Sequence, residues 1–262
     1  MSANSTRAIL FALGANAGIA ITKFGAAAYT GSGAMLAEAI HSVADTANQL
    51  LLLLGLKRAK TAATEEHPLG YHRVTYFYGM MVALLLFLVG GLFSIYEGWH
   101  RLAHPEPLKN GVIALAVLGV AIVLESVSLW GAMREIRKVQ AGRSFMRWFR
   151  ETRQSELMVV AGEDIAALGG LVLAFIAVLL AMWTGNPLFD SLGSIAVGVL
   201  LVIVAIAIII EIKAMIVGES AEPSLRRAIE AHVVARPEVK RVIRLITLQW
   251  GERLVVAVRA EM

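Results

Sequence analysis

Residues 191–212 read SLGSIAVGVLLVIVAIAIIIEI and carry no charge before Glu211. About 20 residues of helix cross the hydrocarbon core of a bilayer, so this run predicts a transmembrane helix. Five further runs are apolar over a similar length, at residues 8–29, 33–56, 74–97, 111–133 and 157–183. We therefore predict an all-α polytopic membrane protein with six transmembrane helices.

The composition agrees with a membrane protein and restricts its chemistry. Of the 262 residues, 58% are apolar and 17% are charged, which makes the chain more apolar than an ordinary soluble domain. Cysteine is absent, so disulfides and thiolate metal sites are excluded, and a bound metal would have nitrogen and oxygen ligands. The sequence has no glycine-rich phosphate loop with its lysine and no Ser/His/Asp arrangement off the membrane, and we predict that the protein is not an enzyme.

The basic residues are concentrated in one segment. Between residues 134 and 153, seven basic residues stand against Glu135 and Glu151. Under the positive-inside rule this segment is cytoplasmic, and the basic residues that follow the second span agree. Both termini are therefore predicted to lie in the cytoplasm. Such clusters beside a membrane serve orientation and contact with anionic lipids, so we predict the lipid bilayer as a partner and no nucleic acid.

The pattern of the chain changes after the sixth span. Residues 221–239 have a helical pattern, and two alternating stretches follow at 241–249 and 253–261. This predicts a transmembrane transport domain over residues 1–212 and a short, partial α+β cytoplasmic domain over residues 213–262. A soluble unit of about 40 residues usually needs oligomerisation to remain folded, which predicts contact with a partner subunit.

Ionisable side chains lie inside the predicted spans. His41 and Asp45 are four residues apart, so a helix places both on one face, where they can bind one divalent cation. Helix rise puts Asp45 about 17 Å, Glu125 about 12 Å and Asp164 about 11 Å from the cytoplasmic ends of their spans. Ionisable groups inside a membrane are costly and are functional by default. We predict a metal site between packed helices at this level.

The types of ligand restrict the cation. Magnesium and calcium prefer oxygen throughout, whereas an imidazole beside carboxylates suits zinc, iron, cobalt, nickel or manganese. Zinc is our first choice among these. A buried histidine must lose its proton to bind a metal, so protons and metal compete for the site. The prediction is a divalent metal as substrate, with protons as the counter-ion.

Several motifs together resemble the cation diffusion facilitator family. They are residues 31–45 (GSGAMLAEAIHSVAD) preceded by Lys23, residues 67–73 (HPLGYHR), residues 97–102 (EGWHRL), residues 190–194 (DSLGS) and residues 217–220 (VGES). The motifs occur in the order that the family has. The resemblance implies a six-helix, homodimeric metal/proton antiporter that exports metal from the cytosol, with a ferredoxin-like C-terminal domain.

The resemblance also implies a ligand set. The family takes one pair of ligands from the second span and a matching pair from the fifth. Carried over, these positions are His41, Asp45 and Asp164, with Val160 in the fourth place. Valine cannot bind a metal, and Glu125 at a similar depth is the preferred replacement. Glu163 is a further candidate, but it points about 100° away from Asp164 around the helix and would need local distortion. This departure is similar to the branch of the family that includes zinc transporter nine.

The loop before the third span resembles a second metal site of the family only in part. His67 matches its first histidine, whereas Tyr71 replaces the second and His72 stands one place later. His67 and His72 are therefore further candidate ligands of a weak or absent site. The segment before the fifth span carries no histidine, unlike the His-rich loop of many eukaryotic members of the family. The resemblance therefore implies a bacterial inner membrane.

Other interpretations of the same residues stay open. His41 and Asp45 could form a hydrogen-bonded pair that fixes helix packing, and Glu125 could bond to a nearby serine. For the whole protein, one alternative is a transport-deficient metal sensor or scaffold. Another is a carrier of a small organic cation. The absence of an aromatic cage in the spans argues against this alternative.

Three charged residues are expected to have structural roles. Lys23 and Glu38 lie nearer the outer interface, where a long side chain can extend to water. Asp190 precedes the predicted sixth span, and we expect its carboxylate to cap the first amides of that helix.

Overall fold

The computed structural model describes residues 3–105, 108–140 and 142–262, with side chains from residue 17 onward. Most of these residues are helical, and a two-stranded sheet lies at the C-terminal end. In chain order the elements are α1 (Ala3–Thr30), α2 (Gly33–Ala59), α3 (Val74–Leu85), a π-helical segment (Leu86–Leu92), α4 (Phe93–Ala103), α5 (Gly111–Val139), α6 (Phe145–Glu151), α7 (Ser155–Thr184), α8 (Leu188–Val217), α9 (Pro223–Val234), β1 (Arg241–Trp250) and β2 (Arg253–Glu261).

Each predicted span coincides with a long helix. These helices are α1, α2, the continuous helix from α3 through α4, α5, α7 and α8. Within the described residues, four are long and apolar enough to cross a membrane: Val74–Ala103, Gly111–Val139, Ser155–Thr184 and Leu188–Val217. The helices support a multi-pass membrane protein, while the count of six spans stays a prediction. The helix α2 is not among these four, and it carries Glu38, His41, Asp45 and Asn48 along its length.

The connection between α1 and α2 has a local cause in the sequence. Gly31 adopts a φ of 70°, a left-handed conformation that glycine tolerates and that ends α1. Ser32 then caps α2, because its hydroxyl accepts a hydrogen bond from the Met35 amide at 3.1 Å. These two residues fix the start of the helix that carries the predicted metal ligands.

Glycines allow α8 to approach α4 and the π-helical segment closely. A Cβ added to Gly198 would lie 2.7 Å from both the Gly91 carbonyl oxygen and the Ile95 amide nitrogen. A Cβ on Gly98 would lie 2.7 Å from the Ser191 carbonyl oxygen. Small residues in membrane helices permit such contact between backbones. This interface therefore has no room for larger side chains at these positions.

The basic segment between α5 and α7 is partly ordered by helix and by ion pairs. The short helix α6 buries two aromatic side chains, Trp148 and Phe149. Arg143 pairs with Glu222 at 3.1 Å, and Arg153 pairs with Glu219 at 3.0 Å. Part of the positive charge that the sequence places here is therefore bound to the connection between α8 and α9.

The C-terminal elements match the predicted helix and two strands, with one correction. The helix was expected over residues 221–239, but α9 ends at Val234. Pro237 follows shortly after, and a proline disfavours helical conformation in the residue before it and lacks an amide hydrogen. The strands β1 and β2 pair antiparallel, with Trp250 opposite Arg253 across the turn. A complete ferredoxin-like fold, and a domain boundary at residue 212, stay predictions.

The turn of the hairpin packs against the membrane helices. The Gly251 amide donates a hydrogen bond to the Tyr76 hydroxyl of α3 at 3.0 Å. The Arg73 guanidinium lies 4.7 Å from the centre of the Trp250 ring and donates to backbone carbonyls at the end of α8. Further along, the hairpin exposes apolar side chains, among them Ile243, Ile246, Val256 and Val258.

Candidate metal-transport site

The predicted pair on α2 is present at one turn's separation. His41 is fully buried, and its Nδ1 atom lies 3.5 Å from Oδ1 of Asp45. Among the described residues, neither nitrogen of His41 nor this oxygen of Asp45 has a hydrogen-bond partner. Buried polar atoms normally have partners, so three vacant donor or acceptor positions close together are unusual. A hydrogen-bonded pair that merely fixes helix packing does not describe this geometry.

The imidazole of His41 faces the π-helical segment. A Cβ on Gly90 would lie 3.7 Å from Nδ1 of His41. Segments of π-helix often occur at functional sites, where the extra residue changes the direction of the backbone. Because Gly90 has no side chain, it leaves space beside the imidazole. The π-helical segment therefore borders His41 on this side.

A cavity of about 190 Å³ lies between α1, α2, α5 and α7. Four carboxylates from three helices line it: Asp45, Glu125, Glu163 and Asp164. Their convergence at one level agrees with the depths expected from helix rise. His41 is not among the residues that line the cavity, and it adjoins the cavity through Asp45.

Neighbouring acids on α7 reach the cavity in different directions. Glu163 faces α2 and accepts a hydrogen bond from the Asn48 amide nitrogen at 2.5 Å. Asp164 faces α5 and accepts from the Ser128 hydroxyl at 3.4 Å. Both acids line the cavity, while the expectation that Glu163 needs local distortion to join Asp164 on one ion stays a prediction. The cavity extends from α2 to α5, so a regular helix presents two adjacent side chains to it.

The fourth family position also faces the cavity. Val160 lines it one turn before Asp164. Within the part of the chain that the structure describes, no three His, Asp or Glu side chains form a group that could hold a metal ion. The acids share a cavity without sharing one coordination sphere. The ligand set of His41, Asp45, Asp164 and Glu125 thus stays a prediction.

A second and larger cavity, of about 970 Å³, adjoins the first. Both cavities are lined by Ser128, Val160 and Asp164. The larger one extends along α5 and α7 to Gly251 and Glu252 in the hairpin turn. The acids on α2, α5 and α7 are therefore reached from the side of the molecule that carries the C-terminal hairpin.

The loop histidines lie apart from these acids. His67 is exposed, and its ring stacks on Tyr71 with 4.4 Å between the ring centres. His72 lies beside the hairpin turn, close to Gly251. Neither lines the cavity of the four carboxylates. A loop metal site built on His67 and His72 stays untested.

Two charged residues have places that the sequence did not indicate. Asp190 was expected to cap α8, but it accepts hydrogen bonds from the Ser32 hydroxyl and the Gly33 amide, both at 2.5 Å. It therefore caps the start of α2 from another helix, a long-range contact that local sequence cannot reveal. Lys23 was expected to extend to water near the outer interface, but it is buried and lines the carboxylate cavity. A lysine within a predicted span was the available signal.

The helices and the cavity define the class of the molecule: a multi-pass membrane protein with an acidic site inside its helix bundle. The Cation efflux transmembrane domain matches residues 9–217. The chain belongs to this family, the cation diffusion facilitators.

Similar proteins of this family are zinc transporters or metal tolerance proteins by name. The human proton-coupled zinc antiporter SLC30A9, mitochondrial, is 36% identical over 203 residues, which are 77% of this chain and 36% of that protein. Metal tolerance protein C4 of Arabidopsis thaliana is 33% identical over 219 residues, 83% of this chain and 48% of that protein. Zinc transporter ZitB of Escherichia coli (strain K12) is 28% identical over 198 residues, 75% of this chain and 58% of that protein.

The chain spans less than half the length of the first two relatives. The similarity to SLC30A9 confirms the predicted place near the zinc transporter nine branch. The names of these relatives refer to transport or tolerance of metals.

Proposed function

We propose that this protein exchanges divalent transition metal ions, zinc first among them, for protons and so exports the metal from the cytoplasm. The observation that carries the proposal is the cavity in which Asp45, Glu125 and Asp164 converge from α2, α5 and α7. Charged groups at this depth are too costly to be retained for packing alone. The names of the relatives, which include proton-coupled zinc antiporters, support the choice of zinc and of protons.

The ion is held, in this proposal, by His41, Asp45, Asp164 and Glu125. His41 and Asp45 have atoms without hydrogen-bond partners among the described residues, which suits them to accept a metal. Zinc prefers about four nitrogen and oxygen ligands at roughly 2.0 to 2.2 Å. The helices must close on the ion to reach these distances, because the acids line a cavity without forming one compact cluster. Protons return to the same side chains when the metal leaves.

We propose a homodimer with both termini in the cytoplasm of a bacterial cell and the helices in its inner membrane. The apolar side chains exposed on β1 and β2 support contact with a second copy, since a small hairpin and one helix bury little surface. The larger cavity, which opens beside the hairpin, is then the cytoplasmic approach to the metal site. Six transmembrane helices are an even number of crossings, so they leave both termini on the same side of the membrane.

Zinc flux in liposomes tests the proposal. The purified full chain is reconstituted with a zinc dye inside the vesicles and an imposed pH gradient. We expect flux that depends on the gradient, and we expect Asp45→Asn and Asp164→Asn to abolish it. Glu261→Gln, which removes an exposed carboxylate on β2, serves as the control and keeps the flux.

Two other outcomes are informative. Zinc binding without flux in the unaltered chain would favour the alternative, a metal sensor or scaffold that has lost transport. This alternative is supported by Val160, which lines the cavity at the position of a family ligand and cannot bind a metal. Flux that persists in both aspartate variants would contradict the proposed site.

A further inference from the structure

A buried ion pair joins α1 to α2 beside the carboxylate cavity. The Lys23 ammonium donates to the Ser42 hydroxyl at 2.7 Å and lies 3.3 Å from Oε2 of Glu38. Lys23 is 4% exposed and Glu38 is fully buried. Burying such a pair costs desolvation energy that its attraction barely offsets, so a buried salt bridge is weak support for a purely stabilising role.

The two charges of this pair are not placed equally. Lys23 and its partner Ser42 line the cavity together with the four carboxylates, whereas Glu38 is not among the described residues that line it. The second oxygen of Glu38, Oε1, has no hydrogen-bond partner in the described part of the chain and lies against α7 where a side chain at Gly170 would be. The positive end of the pair therefore faces the acids, and the negative end lies behind it.

We propose that Lys23 is a resident counter-cation that lowers the affinity of the cavity for the transported metal, with Glu38 holding it there. This inference rests on the proposed function. A lysine ammonium is a compact charge that stays in the cavity when the metal is absent, where it offsets the mutual repulsion of the carboxylates. An arriving divalent ion meets this charge at close range. The result is a site weak enough to release its cargo, which transport requires.

The proposal assigns opposite effects to the two members of the pair. Lys23→Met removes the cavity's positive charge and leaves Glu38 unbalanced, so zinc should bind more tightly. Glu38→Gln leaves the ammonium unbalanced, so zinc should bind more weakly. A unit charge within about 10 Å of a divalent ion, at an effective dielectric constant of 20, changes affinity more than tenfold. The double variant removes both charges and should return within about threefold of the unaltered protein.

A structural role predicts a different pattern. If the pair only holds α1 against α2, each single substitution loosens the same helices and shifts zinc affinity in the same direction. Thermal stability falls in both singles under either account, because removing one partner leaves a buried charge. The sign of the change in affinity is therefore the measurement that separates the two accounts.

Calorimetric titration of the purified full chain with zinc provides the test, with thermal melting of each variant beside it. The matched control is the exposed pair of Arg241 and Glu261, altered to Met and Gln in the same cycle. We expect a dissociation constant at least tenfold lower for Lys23→Met, at least tenfold higher for Glu38→Gln, and no change in the control cycle. Equal signs in the two singles, or no change in either, would overturn the proposal.

Two further results separate failure of the counter-cation from failure of the proposed function. Should Lys23→Met fail to fold, Glu38→Gln alone must weaken zinc binding, and unaltered or tighter binding in that variant contradicts the proposal. Should the unaltered chain bind no zinc at all, the proposed function fails and the counter-cation fails with it. A chain that binds zinc but shows a flat cycle overturns the counter-cation alone.

Discussion

The contact of α8 with the π-helical segment and the cavity between α1, α2, α5 and α7 are built from opposite residue types. At the first, Gly91 and Gly198 bring two backbones together with no space for a methyl group. At the second, Asp45, Glu125 and Asp164 line about 190 Å³ of space between helices. One interface is close-packed, while the other encloses open space. The comparison indicates that α8 packs tightly against this neighbour, whereas the proposed metal site lies where the bundle leaves room for an ion.

The largest effect is expected from substitution in the close-packed interface. Gly198→Ala places a methyl group 2.7 Å from two backbone atoms, which cannot move independently of their helices. We expect a loss of about 3 kcal/mol in the free energy of unfolding, the upper range for overpacking. Thermal melting in detergent measures it. Gly25→Ala is the control, since nothing lies within 4 Å of the added Cβ on α1 and alanine favours a helix. Equal melting temperatures for the two variants would contradict a close-packed interface.

Substitution of the acids should instead change transport while the fold remains. Glu125→Gln should reduce the initial rate of zinc flux about tenfold, and Glu163→Gln about threefold. The reason is that Glu125 is the proposed fourth ligand, whereas Glu163 is bound to Asn48. The proteoliposome assay measures both variants side by side. The reverse order would assign the fourth ligand to Glu163.

A ligand can also be added in the carboxylate cavity. Val160→His should tighten zinc binding about fivefold, because an imidazole then replaces a valine that lines the cavity. Calorimetry measures the change. Val172→His on the same helix, at a position 40% exposed, is the matched control and should bind zinc as the unaltered chain does. Equal affinity in both variants would mean that position 160 does not contact the ion.

The smallest effect is expected where the hairpin meets α3. Tyr76→Phe removes the hydroxyl that accepts from the Gly251 amide. One hydrogen bond contributes about 0.5 to 1 kcal/mol, so exchange of hydrogen at the hairpin turn should rise about threefold. Exchange followed by mass spectrometry detects this change. Tyr29→Phe, which alters an exposed hydroxyl bonded to Asn110, should leave the turn unchanged. No difference between the variants would show that the turn is held by other contacts.

The long helices and the hairpin could be predicted from the sequence because apolar runs and alternating patterns are local signals. The convergence of Asp45, Glu125 and Asp164 could also be predicted, since helix rise fixes their depth. The cross-helix contacts could not. Asp190 caps the start of α2 at Gly33, which lies 157 residues earlier in the chain. No local pattern indicates which helix end lies near Asp190.

The position of Lys23 shows the same limit for side chains. The depth of Lys23 in α1 could be predicted from the sequence. The direction of its side chain depends on how α1 packs against α2, which places the Ser42 hydroxyl 2.7 Å from the ammonium. A related limit applies to Glu163, which lines the cavity together with Asp164. A periodic helix fixes the angle between neighbours but not the width of the cavity that they face. Packing of several helices determines that width.

The position of bound zinc tests the central claim most directly. Zinc-loaded crystals of the full chain, measured at the zinc absorption edge, locate the ion by its anomalous scattering. We expect a peak between α2, α5 and α7, within about 2.0 to 2.2 Å of carboxylate oxygens of Asp45 and Asp164. Zinc bound only at His67 and His72, with none in the carboxylate cavity, would contradict the account.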